Sequence, residues 1–288
     1  MKKINYATFG PGGNSDAFKE AGKKSTVEAP EWIRSIGLDA YEFEAGRGVN
    51  AGDAALRAIG EQARLHGILM SLHAPYFISL SSVEEEKRTK SIDYISRSLH
   101  AAELLYADTI VIHTGSAATI SRDEAMRLAT DTLERNLELN GDTDIRMGLE
   151  TMGKVNQLGT LDEVLTLCKI SPKYHPIVDF GHLNARHLGN YFPDCDSYRR
   201  VFDRIATTLS DDYAYNLHCH FSKIEYTSKG EKKHLTFSDD IYGPNFEPLA
   251  EAIVKEGVAP RIICESDGTM SDDALEMKRM WQKAGGSV

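Results

Sequence analysis

No two of the four cysteines, Cys168, Cys195, Cys219 and Cys264, stand at Cys-x-x-Cys spacing. That argues against a zinc ribbon or a thioredoxin-type site, and reduced, buried thiols are expected. No apolar run approaches the ~20 residues of a membrane helix. The N-terminus, MKKINYATFG, has two lysines but no long apolar stretch behind them, so it reads as a first strand and not a signal peptide. A cytoplasmic protein without a membrane partner is expected. Positive charge is also in deficit: 33 Lys and Arg against 43 Asp and Glu leave a formal net charge of −10. Such a chain does not coat nucleic acid by charge alone, although bound cations reverse the field inside a site. Low-complexity tracts and clear linkers are missing. So is the Gly-x-Gly-x-x-Gly loop of an open dinucleotide-binding sheet. Gly10, Gly12 and Gly13 sit in GPGGN instead, which reads as a flexible loop at a barrel mouth.

The 288 residues are 41% apolar, enough for a sizeable core. Barrels routinely exceed ~250 residues as one domain, so 1–288 is expected to be a single domain. A strand-then-helix unit recurs about every 30 to 40 residues. Candidate strands are INYATF (4–9), DAYEFEA (39–45), LMSLHAP (69–75) and DTIVIHTG (108–115), followed by IRMGLET (145–151), HPIVDFG (175–181), YNLHCHF (215–221) and PRIICES (260–266). Helical spacing marks 83–106 (capped by Ser81 or Ser82), 122–139 (capped by Ser121), 244–256 and 271–283. Alternation of this kind predicts an α/β fold, a (β/α)8 TIM barrel, with an open doubly wound sheet as the alternative. The long connection 222–243 is expected to be a functional loop.

The metal-capable residues fall at strand ends. His73, His113, Glu150, Asp179 and Glu265 close strands three, four, five, six and eight. His182 follows Asp179 by one turn, His218 lies in strand seven, and His234 lies on the long loop. Barrel active sites are built on this face. A lone histidine is more often a surface or satisfied core group, and His66, His100, His175 and His187 are read that way. A strand-end carboxylate often only caps the next helix. The conjunction is different, because such groups are costly to bury unpaired. Imidazoles with carboxylates suit zinc, and also manganese or cobalt. His218 and His220 share a strand face, and either could be the ligand.

At these residues the sequence resembles the endonuclease IV family of apurinic/apyrimidinic (AP) endonucleases, within the xylose-isomerase-like barrel superfamily. The likeness spans nearly the whole chain through SLHAPYFISLSS, VIHTGS, GLETMGK, VDFGHLNAR, NLHCHFSK and ICESDG, in order. The His-to-Lys spacing of the fifth block matches from His218 to Lys223. The resemblance implies a zinc site of two or three ions. One would be held by His73, His113 and Glu150, and a second by Glu150, Asp179, His218 and Glu265. A third would be held by His182, His234 and an aspartate two residues before the latter. Lys232 stands there instead, so the third ion is absent, weak, or completed by Glu231, water or substrate. Tyr76 is implied as a DNA contact and Arg47 is a candidate phosphate contact, while Lys223 and Lys232, on the basic loop with Lys229 and Lys233, read equally as phosphate contacts or as a solvated loop. After strand two, EFEAGRGVNAG lacks the family's aromatic residue.

The activity implied is DNA repair: hydrolytic cleavage 5′ to abasic sites by a metal-activated hydroxide, with Glu150 and Glu265 as catalytic residues. An alternative is a divalent-metal sugar isomerase or epimerase built on Glu150, Asp179, His218 and Glu265, acting on a sugar or sugar phosphate. His73 and His113 favour the nuclease, since one metal needs no further imidazoles. A third reading, prompted by Lys232, is a metal-binding barrel without turnover.

Overall fold

The computed structural model describes residues 5–288. Eight parallel strands form the barrel: β1 (Thr8–Pro11), β2 (Ala40–Glu44), β3 (Leu69–His73), β4 (Thr109–His113), β5 (Arg146–Glu150), β6 (Tyr174–Asp179), β7 (His218–Phe221) and, last in the chain, β10 (Arg261–Cys264). A separate antiparallel pair, β8 (Lys223–Thr227) and β9 (Gly230–Leu235), follows β7. The expected strands are all present, shorter by one to three residues, the first shifted to Thr8–Pro11; Ile4, expected to start it, lies outside the described residues.

The barrel closes between β1 and β2 at one bridge, Gly12 to Glu42. Backbone bonds from Asp39 to Phe9 and from Gly13 to Glu42, both 2.9 Å, extend the seam. Gly10 makes this approach possible, since a Cβ there would fall 1.9 Å from the Ala40 carbonyl oxygen. GPGGN is thus a packed seam and not the expected flexible loop.

Helices cover the barrel. Ser121 caps Arg122–Asn140 as expected, accepting from the Glu124 amide at 3.2 Å. Neither Ser81 nor Ser82 caps Glu85–Leu104. Ser81 instead exchanges two hydrogen bonds with the Ser116 backbone, at 2.7 and 2.8 Å, tying the loops after β3 and β4 together. All four cysteines are free and buried. Among the described residues no helix is long and apolar enough to cross a membrane.

The connection 222–243 is not an irregular loop. Its first half is the β8–β9 hairpin, turned at Gly230 with φ +86°. A Cβ on Gly230 would meet the Gly153 carbonyl oxygen at 2.2 Å, because the hairpin tip lies against the loop after β5. Val155 donates to Lys229 and Glu231 donates to Gly153, each at 3.0 Å. Two arginines hold the far side of that loop. Arg186 donates to the carbonyls of Met152, Lys154, Val155 and Gln157, and Arg122 to those of Val155 and Gln157.

Arg122 also forms a paired contact with Glu163, at 2.6 and 2.7 Å, and Glu163 accepts from the Gly159 and Thr160 amides. Burial opposes ionisation, but Arg122 and these amides lower the Glu163 carboxyl to about 2 from its ordinary value of 4.5. The folded value lies below the unfolded one. The stabilisation is therefore complete above about pH 4.5 and is lost as pH falls toward 2. Glu163→Gln is expected to cost about 2 kcal/mol at pH 7 by denaturant unfolding, a difference that shrinks in acid. An equal loss at pH 7 and pH 3 would contradict this assignment.

Candidate metal centre

Strand register sets the height of each side chain at the barrel mouth. His113 pairs with Glu150 across β4 and β5, and Asp179 pairs with His220, not His218, across β6 and β7. The sequence-based choice on strand seven is thereby corrected. His218 and His220 do share a face, but they are two residues apart along the strand, and only His220 reaches the level of the other groups. The His218–Lys223 spacing was the misleading signal.

Glu150 is the hub. It is fully buried, with His220 Nδ1 at 3.1 Å, His113 Nε2 at 3.2 Å, and His73 Nε2 and His182 Nδ1 at 3.4 Å from its oxygens. Among the described residues, metal-capable groups include two that contain it, His73, His113 and Glu150 and also Glu150, Asp179, His220 and Glu265, and one that adjoins it, His182, Glu231 and His234. Within each, the donor atoms lie within 4.8 Å of one another.

The third group answers the question raised by Lys232. A β-bulge in the hairpin pairs Glu225 with Lys233 but Tyr226 with Glu231, leaving Lys232 as the extra residue. A bulge shifts the alternation of the strand, so Glu231 and His234, three apart, both meet His182. The Glu231 carboxylate stands 3.5 Å from His182 Nε2, while Lys232 turns away to Glu225 at 2.5 Å.

Several imidazoles are oriented from behind. His73 Nδ1 faces the Ala74 carbonyl at 2.8 Å, His182 Nδ1 the Thr151 carbonyl at 2.9 Å, and His234 Nδ1 the Ser222 hydroxyl at 2.8 Å. Each contact leaves Nε2 for the cavity. Asp179 does cap the helix Phe180–Arg186, through Oδ1 to the His182 amide at 2.7 Å. Its Oδ2 remains over.

These residues fit divalent cations. Glu150 Oε2 and Asp179 Oδ2 are buried without an aligned hydrogen bond, and orphans of this kind are costly. Burial opposes the charge on Glu150, yet His113, His182, His220 and His73 hold its carboxyl well below the usual range. Burial likewise opposes the charge on His220 and His182. Glu265 and Glu42 overcome it for the first, Asp179 and Glu231 for the second, and both are held well above the ordinary value. For Glu265, burial prevails over His220, and with Glu150 and Asp179 nearby its carboxyl is lifted well above the usual range. Protons thus share these groups until a cation displaces them, so cation binding releases protons.

Tyr76 lines the cavity beside these groups, half exposed, its ring stacked on His113 at 5.4 Å. The cavity measures about 470 Å³. Of the other expected substrate contacts, Lys223 is bound to the carbonyls of Phe237 and Asp239, and Lys232 to Glu225. Arg47 is exposed on the loop after β2, outside the cavity lining. Lys154 and Gln157, which the sequence reading passed over, do line it. Glu42 was also passed over. Its signal was the alternation Glu42–Phe43–Glu44, which points two carboxylates to one strand face. His66, His100, His175 and His187 lie outside the cavity. A larger groove of about 710 Å³ lies on the flank around His187, Tyr191 and Arg204, away from these clusters.

The xylose isomerase-like TIM barrel family model matches residues 30–283. The chain belongs to that family. Within it, the chain is 29% identical to an uncharacterized protein of Methanocaldococcus jannaschii, over 87% of this chain and 90% of that one. It is 26% identical to a probable endonuclease 4 of Acholeplasma laidlawii, over 67% of this chain and 65% of that one. A probable endonuclease 4 of Carboxydothermus hydrogenoformans is 30% identical over 76% and 77%. Among solved structures, a D-tagatose 3-epimerase-like protein shares the fold with a TM-score of 0.71 and 20% identity, 96% of each chain being covered. Endonuclease IV of Thermus thermophilus does so with a TM-score of 0.67 and 18% identity, covering 96% of this chain and 98% of that one.

Removal of metal by a chelator is expected to lower the unfolding midpoint, and Zn2+ or Mn2+ to restore it. At one hundred times Kd a single ion adds ~2.7 kcal/mol, roughly 4–5 °C for a chain of this size. A midpoint indifferent to both treatments would remove the metal reading.

Proposed function

We propose that the protein is a divalent-metal-dependent phosphodiesterase that cleaves DNA 5′ to abasic sites. The observation carrying this reading is that two metal-capable groups share Glu150 and a third, His182, Glu231 and His234, adjoins it through His182, 3.4 Å from Glu150. The sequence likeness to endonuclease 4 proteins supports the same choice.

In this reading His73 and His113 hold one cation with Glu150. Asp179, His220 and Glu265 hold a second with Glu150, and His182, Glu231 and His234 hold a third. Zinc suits these donors, and manganese and cobalt are compatible with them. A bound divalent cation supplies Lewis acidity at a phosphoryl oxygen and lowers the pKa of water toward ~7. The chain supplies position and charge. Glu150 would contribute to both of the first two sites. Burial among other carboxylates raises the Glu265 carboxyl, and a bound cation would favour its carboxylate form. The exposed Tyr76 ring offers a face to an extruded sugar, and an abasic nucleotide is cheap to extrude. Lys154 at the cavity lining is placed for a phosphate.

A second reading is a sugar isomerase or epimerase. Glu150, Asp179, His220 and Glu265 by themselves form a one-cation set with two glutamates able to move a proton between carbons. Lys223 and Lys232 are already bound within the protein, and the net charge of −10 suits a small substrate.

The deciding test is incision of a duplex carrying one abasic analogue by zinc- or manganese-loaded protein. Cleavage on the 5′ side, lowered about 10³-fold or more in Glu150→Gln, is expected, since cation stabilisation is worth several kcal/mol. Metal-loaded protein that leaves the duplex intact but interconverts ketoses would establish the second reading. Turnover of neither, with tight binding, would leave a metal-binding barrel without catalysis.

A further inference from the structure

Beneath the cluster lies a second buried carboxylate. Glu42 on β2 is fully buried and stands opposite Ser71 in the β2–β3 register. Its Oε2 accepts from the Ser71 hydroxyl at 2.7 Å and from His218 Nε2 at 3.0 Å. Its Oε1 lies 2.9 Å from His220 Nε2. The His220 ring therefore stands between two layers of carboxylate. Nε2 faces Glu42, while Nδ1 faces Glu150 at 3.1 Å and Glu265 at 3.3 Å. A neutral imidazole carries one N–H. If Nδ1 ligates a cation, that hydrogen is on Nε2, against Glu42. Carboxylates behind ligating histidines fix ring angle and tautomer in this way.

We infer that Glu42 is a positioning residue that presents His220 to a cation through Nδ1, and that Ser71 and His218 hold Glu42 in place for it. This rests on the metal reading of the cavity. His218 then has a role that is not ligation, which accounts for two inward histidines on one short strand. The trio Glu42, His218 and His220 is itself close enough to surround a cation. However, Glu42 Oε2 already accepts from Ser71 and His218 at ordinary hydrogen-bond distances, so the trio reads as a support in which Glu42 Oε1 faces His220 Nε2 at 2.9 Å without an aligned hydrogen bond.

The test is Co2+ titration of metal-free wild type, Glu42→Gln and Ser71→Ala, with visible d–d spectra recorded alongside and folding checked by circular dichroism. Glu42→Gln is expected to bind one Co2+ equivalent about 10–100-fold more weakly, as loss of such a partner typically does. The d–d band of that equivalent shifts, and the other equivalents bind as in wild type. Ser71→Ala is expected to change affinity and band in the same direction by less, and decides the matter if Glu42→Gln does not fold. Wild-type affinity and spectrum in the folded variants would overturn the inference. Wild type that takes up no Co2+ would instead remove the metal reading, and the inference with it.

Discussion

A carboxylate closed off from water among four imidazoles, Glu150, organises the mouth of this barrel. Taking such a charge out of water costs several kcal/mol unless partners replace the lost solvation. Here the partners come from four different segments: His73 on β3, His113 on β4, His182 after β6 and His220 on β7. Parallel strands in fixed register are what let residues so distant in sequence meet within 3.1–3.4 Å of one carboxyl group. The remaining unaligned oxygens and nitrogens are the counterpart of that crowding, and a divalent cation would satisfy them together.

The third group depends on parts outside the barrel proper. Glu231 and His234 are carried by the hairpin, the hairpin leans on the loop after β5, and that loop is gripped by Arg122 and Arg186. The bulge at Lys232 lets Glu231 take the place that spacing alone assigned to Lys232. The wall thus brings together two ligand candidates and Lys154 on one side of the cavity.

The barrel was legible because short strand-like runs, each followed by a helical period, recur along the chain, and because seven of the eight ligand candidates sat at or near strand ends. Family resemblance supplied their grouping. The errors have local causes. His218 was preferred over His220 from spacing in one dimension, whereas height in the barrel is set by pairing with β6. Glu42 was passed over, because nothing in a strand's own sequence shows which face closes on the interior. The Lys232 bulge is invisible until the pairing of β8 with β9 is known. Ser81 obeyed the capping pattern but is bound to the next loop, a tertiary contact that local signals do not encode.

The central claim, that Glu150 is shared among several cations, is tested most directly by anomalous diffraction at the zinc edge from crystals of the zinc-loaded protein. The account predicts separate peaks at His73/His113/Glu150, at Glu150/Asp179/His220/Glu265 and at His182/Glu231/His234. One peak alone, within Glu150, Asp179, His220 and Glu265, would contradict it and leave a mononuclear site.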